Sequence, residues 1–171
     1  MLKNINKLST KGKLDTKGKL STKVKLLKLN TINNKINNID RNLEKIQQKI
    51  IVKFLEILNV VKIYHWKTRS YATHKATDEL YERLNENIDK FVEVLLGKNE
   101  GRVNLMKVES IPIEDFDDIN FFKKKINSYK TFLIGLNKKK SFDANIDSDL
   151  FSIRDDILAN FNQFLYLLTF K

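Results

Sequence analysis

Both histidines of the 171-residue chain, His65 and His74, fall in one stretch, YHWKTRSYATHKATDELYERLNENIDKFVEVLLG, which begins at Tyr64. Asp78 follows one helical turn after His74, and Asp89 and Glu93 come later, again one turn apart. Imidazole and carboxylate side chains are ligands for divalent transition metals, so their spacing bears on metal geometry. On a helix with His74 at zero, Asp78 lies at about 40°, Asp89 at about 60° and Glu93 at about 100°, so all four share one stripe bordering the apolar face. The stripe is too long for one ion, because His74 and Glu93 are about 28 Å apart along the axis. It therefore divides into two half-sites, His74 with Asp78 and Asp89 with Glu93. Two antiparallel copies of the helix about a twofold axis would set each half opposite the other and make two complete mixed sites. His65, at the end of the preceding helix, is placed to join His74. The competing reading is plain: a His-x-x-x-Asp pair is by default a surface interaction, and helix faces carry acids anyway.

The elements that must position these residues are helices. One proline and five glycines are too few for a chain of strands and tight turns. Apolar residues recur at three and four from Ile32 through Ile36, Ile39, Leu43, Ile46, Ile50, Phe54 and Leu58 to Val61. This predicts a first helix from about Thr31, as cap, to Thr68. A second is expected over about 73–96, with Thr73 as N-cap, Gly97 as C′ residue and a stripe of Leu80, Leu84, Ile88, Phe91, Val92 and Leu95. After a long connection a third is expected over about 113–138. Glu114, Asp115 and Asp117 at its start and the lysines 138–140 at its end would match its dipole. A fourth is expected from near Ser148 to the C-terminus, with Asp155 and Asp156 as exposed acids. The fold class expected is all-α, a four-helix bundle over residues 31–171. No Glu-x-x-His occurs, which disfavours a di-iron centre in the bundle core.

The net charge of +11 is concentrated at the N-terminus. Lys3, Lys7, Lys11, Lys13, Lys17, Lys19, Lys23, Lys25 and Lys28 face Asp15 alone, giving the first 29 residues +8. LSTKGK, LDTKGK and LSTKVK follow one another from Leu8, a hexapeptide repeat. Its glycines and charge predict a flexible arm over residues 1–30. Such an arm would bind DNA nonspecifically by counterion release, and it has no aromatic residue for base stacking. Cysteine is absent, which excludes disulfides, thiolate zinc sites and cysteine nucleophiles. No apolar run approaches the roughly 20 residues that span a bilayer, and no secretory signal is read. The expected location is the cytoplasm, or a virion or viral factory, with no membrane partner.

The layout resembles Dps, the ferritin-like mini-cage family. The matching residues are His65-Trp66 near the end of the first long helix, His74 at the start of the second, Asp78 one turn on, and the Asp89-x-x-x-Glu93 pair. The loop KTRSYAT is shorter than the Dps pattern, and HWKTRSYATHKA looks closer to uncharacterised ferritin-like proteins of phages and large DNA viruses. The resemblance implies a ferritin-like bundle with ferroxidase centres shared between subunits. His65, His74, Asp78, Asp89 and Glu93 would be both metal ligands and catalytic residues, and Trp66 would be a neighbouring aromatic able to intercept oxidising equivalents, unless it only packs at the helix end. The implied metal is Fe, with Zn or Mn as chemically suitable alternatives. The implied assembly is a homo-oligomer, at least a dimer and up to a dodecameric cage. The alternative is a non-enzymatic DNA-binding or virion structural protein on the same bundle with a degenerate metal site.

Overall fold

The computed structural model describes residues 15–98, 100–139 and 141–170, with side chains from residue 25 onward. Four α-helices are present: α1 (Asp15–Lys67), α2 (Tyr71–Gly97), α3 (Ile119–Gly135) and α4 (Ser148–Leu167), with a 3-10 turn at Leu136–Lys138. The described residues contain no strand. The chain divides into two compact units, residues 1–42 and 43–171.

The second unit holds the core. Ile50, Phe54, Ile57, Val61 and Tyr64 of α1 meet Leu80, Leu84, Ile88, Phe91 and Leu95 of α2. Phe122, Ile126, Tyr129 and Leu133 of α3 and Leu150, Ile153, Ile157, Phe161 and Phe164 of α4 complete it. These positions recur at three and four, the stripe a helix must bury. Aromatic contacts fix the registers: Phe54 packs edge-on to Phe91 with centroids 5.1 Å apart, Tyr64 stacks on Phe122 at 4.0 Å, and Phe122 meets Phe164 at 5.9 Å. Arg154, buried in α4, is held by Asn137 and by the Leu133 carbonyl.

The registers also give helix directions. Residues 54 and 91 face each other, as do 65 and 74, so α2 runs antiparallel to α1. Residue 122 of α3 lies at Tyr64 and residue 129 at Glu56, so α3 is likewise antiparallel to α1 and runs parallel to α2. α4 returns antiparallel to α3, with Phe164 at Phe122 and Arg154 at Asn137. The connection between α2 and α3 must therefore travel the length of the helices. It does so along α1: Asn104 exchanges hydrogen bonds with Gln48 (2.8 Å) and Glu44 (2.7 Å), and Asp115 and Asp117 pair with Lys67 at 2.7 and 2.8 Å. From Glu44 to Lys67 is about 35 Å of helix.

Several local expectations change. The flexible arm expected over residues 1–30 is helical from Asp15 onward; its first 14 residues lie outside the described residues. Leu and Lys are good helix formers, and one glycine, Gly18, does not stop them. Thr31 is no cap, and its hydroxyl donates back to the Leu27 carbonyl at 2.9 Å. Ser70, not Thr73, caps α2, its hydroxyl accepting from the Thr73 amide at 3.3 Å. Gly97 is the last residue of α2 and does not adopt a left-handed conformation. α3 starts six residues later than expected, capped by Asp118. Glu114, Asp115 and Asp117 thus precede the helix and neutralise lysines of neighbouring segments rather than its dipole. The start of α4 at Ser148 is as expected, and Asp155 and Asp156 are exposed.

Candidate metal centre

A three-residue turn, 68–70, joins α1 to α2 and decides the geometry. The Ser70 carbonyl accepts from the His74 amide at 2.8 Å, and the Thr68 amide donates to the Tyr64 carbonyl at 3.0 Å. So tight a hairpin lays the last turn of α1 against the first turn of α2. The imidazoles of His65 and His74 stack with centroids 3.9 Å apart and planes 24° from parallel. The turn brings His65 onto His74 within one chain.

The hydrogen bonds of the pair are reciprocal. His65 Nδ1 lies 3.1 Å from the His74 carbonyl, and His74 Nδ1 lies 3.0 Å from the His65 carbonyl. A carbonyl oxygen only accepts, so both Nδ1 atoms must carry hydrogen and donate. In the neutral rings this leaves both Nε2 lone pairs available. Tying Nδ1–H to a carbonyl is how metal-ligating histidines are commonly oriented. Thr77, wholly buried one turn beyond His74, strengthens the arrangement: His65 Nδ1–H also points at its hydroxyl, 3.3 Å away. That hydroxyl in turn donates to the Thr73 carbonyl (2.8 Å) or the His74 carbonyl (3.0 Å).

Asp78 lies beside His65. Its Oδ1 lies 3.7 Å from His65 Nε2 and 3.9 Å from the Lys62 ammonium. His65 is 7% exposed and Asp78 is half-buried, so the pair is covered and the carboxylate faces outward. Asp78 also lines an open groove of about 1150 Å³ with Glu79, Glu82, Asp117 and Asp118, against Lys75 and Lys123. Neither His65 nor His74 lines this groove, and Asp117 within it is paired with Lys67. Asp89 and Glu93 are exposed on α2, about 22 Å and more from His74 along the axis, and make no side-chain ion pair among the described residues. Among the described residues no group of three or more His, Asp or Glu side chains is gathered so as to hold a metal ion, and His65, His74 and Asp78 are no exception. Trp66 is 71% exposed, so the packing expected at the helix end is not made among the described residues; the Lys62 ammonium lies 5.9 Å from its ring centre.

One buried polar cluster was missed in the sequence. Glu56, 1% exposed, is held by the ammoniums of Lys53 and Lys125 and by the Tyr129 hydroxyl, which donates at 3.3 Å. Lys125 also pairs with Glu114 on the crossover. Burial pushes the Glu56 carboxyl up, but the two lysines outweigh it and hold the group below its ordinary value. Burial and the adjacent Glu56 carboxylate push the Tyr129 phenol well above its usual range, so it remains a donor. The signal was present: Glu56 is the only acid in the run from Ile50 to Trp66. With its oxygens occupied by ammoniums and a phenol, Glu56 is a structural carboxylate linking α1, α3 and the crossover.

Fold and site together define an all-α protein with one long crossover and a histidine pair at the α1–α2 hairpin. Residues 65–168 match the family described as Family of unknown function (DUF5856), and the chain belongs to that family. The matched stretch begins at His65 and takes in α2, α3 and α4. No curated protein and no solved structure matches the chain. Among the described residues no helix is long and apolar enough to cross a membrane.

Proposed function

We propose that this protein is a Dps-like ferritin that binds Fe(II) as substrate at sites shared between subunits and oxidises it, holding DNA nonspecifically through its lysine-rich N-terminal segment. The observation that carries the reading is the His65–His74 pair: two stacked imidazoles fixed by Nδ1–H donation to carbonyls, with His65 Nε2 3.7 Å from the Asp78 carboxylate. Two imidazoles and a carboxylate suit Fe(II), with Zn or Mn as competitors. The free Asp89 and Glu93 of a second copy would supply the remaining ligands. Helix order gives independent support. Antiparallel α1 and α2, a single long crossover, then antiparallel α3 and α4 is the connectivity of ferritin-like bundles.

The test is anaerobic Fe(II) addition to metal-free protein, then peroxide, following the absorbance of the ferric product. Fast, saturable oxidation that disappears in Asp89→Ala/Glu93→Ala is expected. A rate equal to buffer, or one unchanged in that variant, contradicts the site.

A second reading has one observation in its favour. The reciprocal hydrogen bonds, with Lys62 as countercharge to Asp78, satisfy the pair as a hairpin clamp without any ion. On that reading the protein is a non-enzymatic DNA-binding or virion structural protein, and Fe(II) addition leaves its melting temperature unchanged.

A further inference from the structure

The first unit, taken by itself, presents a helix whose apolar side chains have no partner among the described residues. Leu29, Ile32, Ile36 and Ile39 are each between 48% and 58% exposed, and Leu26 and Leu27, just before them and off their stripe, are exposed as well. Their spacing is three, four, three, which places Leu29 and Ile36 at heptad position a and Ile32 and Ile39 at d. Asn30, Asn34, Asn37, Asn38 and Arg41 fill outer positions. A strict a/d stripe with polar flanks is the seam of a coiled coil, narrower than the face a helix lays on a globular core or a lipid surface. In the sequence the same phase continues through Leu43, Ile46 and Ile50. There it is already used: Ile50 is in the core of the second unit and Ile46 packs against it.

We infer that residues 29–39 form the seam of a parallel coiled coil between copies of this chain. Charge selects both the occupant and its direction. Lys35 occupies position g and Asp40 position e of the next heptad, and neither makes an ion pair within its own chain among the described residues. Parallel, in-register copies place Lys35 of one against Asp40 of the next. An antiparallel alignment instead sets g against g, bringing the Lys28 and Lys35 rows together. The core residues select the number of strands: leucine or isoleucine at a with isoleucine at d favours three or four helices over two. The inference stands apart from the metal centre, since it uses none of its residues.

The chain has no cysteine, which makes the test clean. In parallel copies identical seam positions meet, so Ile36→Cys in the full-length protein should oxidise to a disulfide-linked dimer. Asn34→Cys, on the outer face, should not. By analytical ultracentrifugation the assembly should lose mass in Ile32→Asn/Ile39→Asn and in Lys35→Glu, and regain it in Lys35→Glu/Asp40→Lys. The inference is overturned by equal cross-linking at both cysteines, by none at Ile36→Cys, or by a mass unchanged in the isoleucine variant. It is also overturned if that variant keeps its mass but loses binding to phosphatidylserine vesicles, which would make the stripe a membrane face.

Discussion

His65 and His74 each donate from Nδ1 to the other's backbone carbonyl, at 3.1 and 3.0 Å, while their rings stack 3.9 Å apart. The relationship binds side chain to main chain in both directions across the hairpin. Neither ring can turn without breaking a hydrogen bond and the stack, so both imidazoles are held in one orientation. Under the proposed function, such preorganised side chains would lose less entropy on binding an ion.

Thr77 supports that presentation from beneath. Thr77→Val keeps the shape and removes the hydroxyl near His65 Nδ1. A stability loss of about 1 kcal/mol is expected in urea unfolding. Co(II) affinity, followed by its visible absorbance, should fall by about tenfold, the lower end of the effect of losing an outer-shell partner. Unchanged Co(II) affinity would show that Thr77 serves folding alone.

Glu56 should matter for stability and for acid resistance. Glu56→Gln leaves Lys53 and Lys125 without their shared carboxylate, and breaking such a buried pair costs about 3–5 kcal/mol, to be measured by urea unfolding. The pH effect follows from the lowered folded-state value. The contribution is fully present above the ordinary value of 4.5 and is lost as the pH falls through the lower folded-state value. Wild type should therefore lose stability in that acid window by more than Glu56→Gln does. Parallel pH profiles for the two proteins would contradict this assignment.

The basic segment makes a prediction in salt. If its lysines meet phosphates, log K for duplex DNA falls linearly with log salt, and each engaged lysine contributes about 0.9 to the slope. Lys25→Gln/Lys28→Gln, at two exposed positions of α1, should weaken binding alike for unrelated sequences and flatten the slope. Sequence preference, or a slope the variant does not alter, would point away from backbone binding.

Much of this was legible beforehand because helix burial has a period. Of the expected α2 stripe, Leu80, Leu84, Ile88, Phe91 and Leu95 are buried and Val92 is half-buried, while Thr77, outside the expected stripe, is buried with them. What was not legible depended on tertiary partners. Asp115 and Asp117 look like dipole-matching residues until the crossover carries them to Lys67. Glu56 looks like a surface acid until α3 sets Lys125 and Tyr129 against it. Thr73 and Ser70 are both good caps, and only the length of the turn chooses Ser70. In the lysine repeat, glycine and charge pointed to a tail, whereas residues from Asp15 onward continue α1.

The central proposal is a centre divided between two copies, and complementation of two inactive variants tests it most directly. One variant is His65→Ala/His74→Ala, the other Asp89→Ala/Glu93→Ala. Each alone should oxidise Fe(II) no faster than buffer. Unfolded together and refolded as a mixture, they should form hybrids in which one of the two twofold-related sites has both halves intact, so about a quarter of wild-type activity should return. No recovery in a mixture that forms hybrids, or full activity in either variant alone, would contradict a shared site.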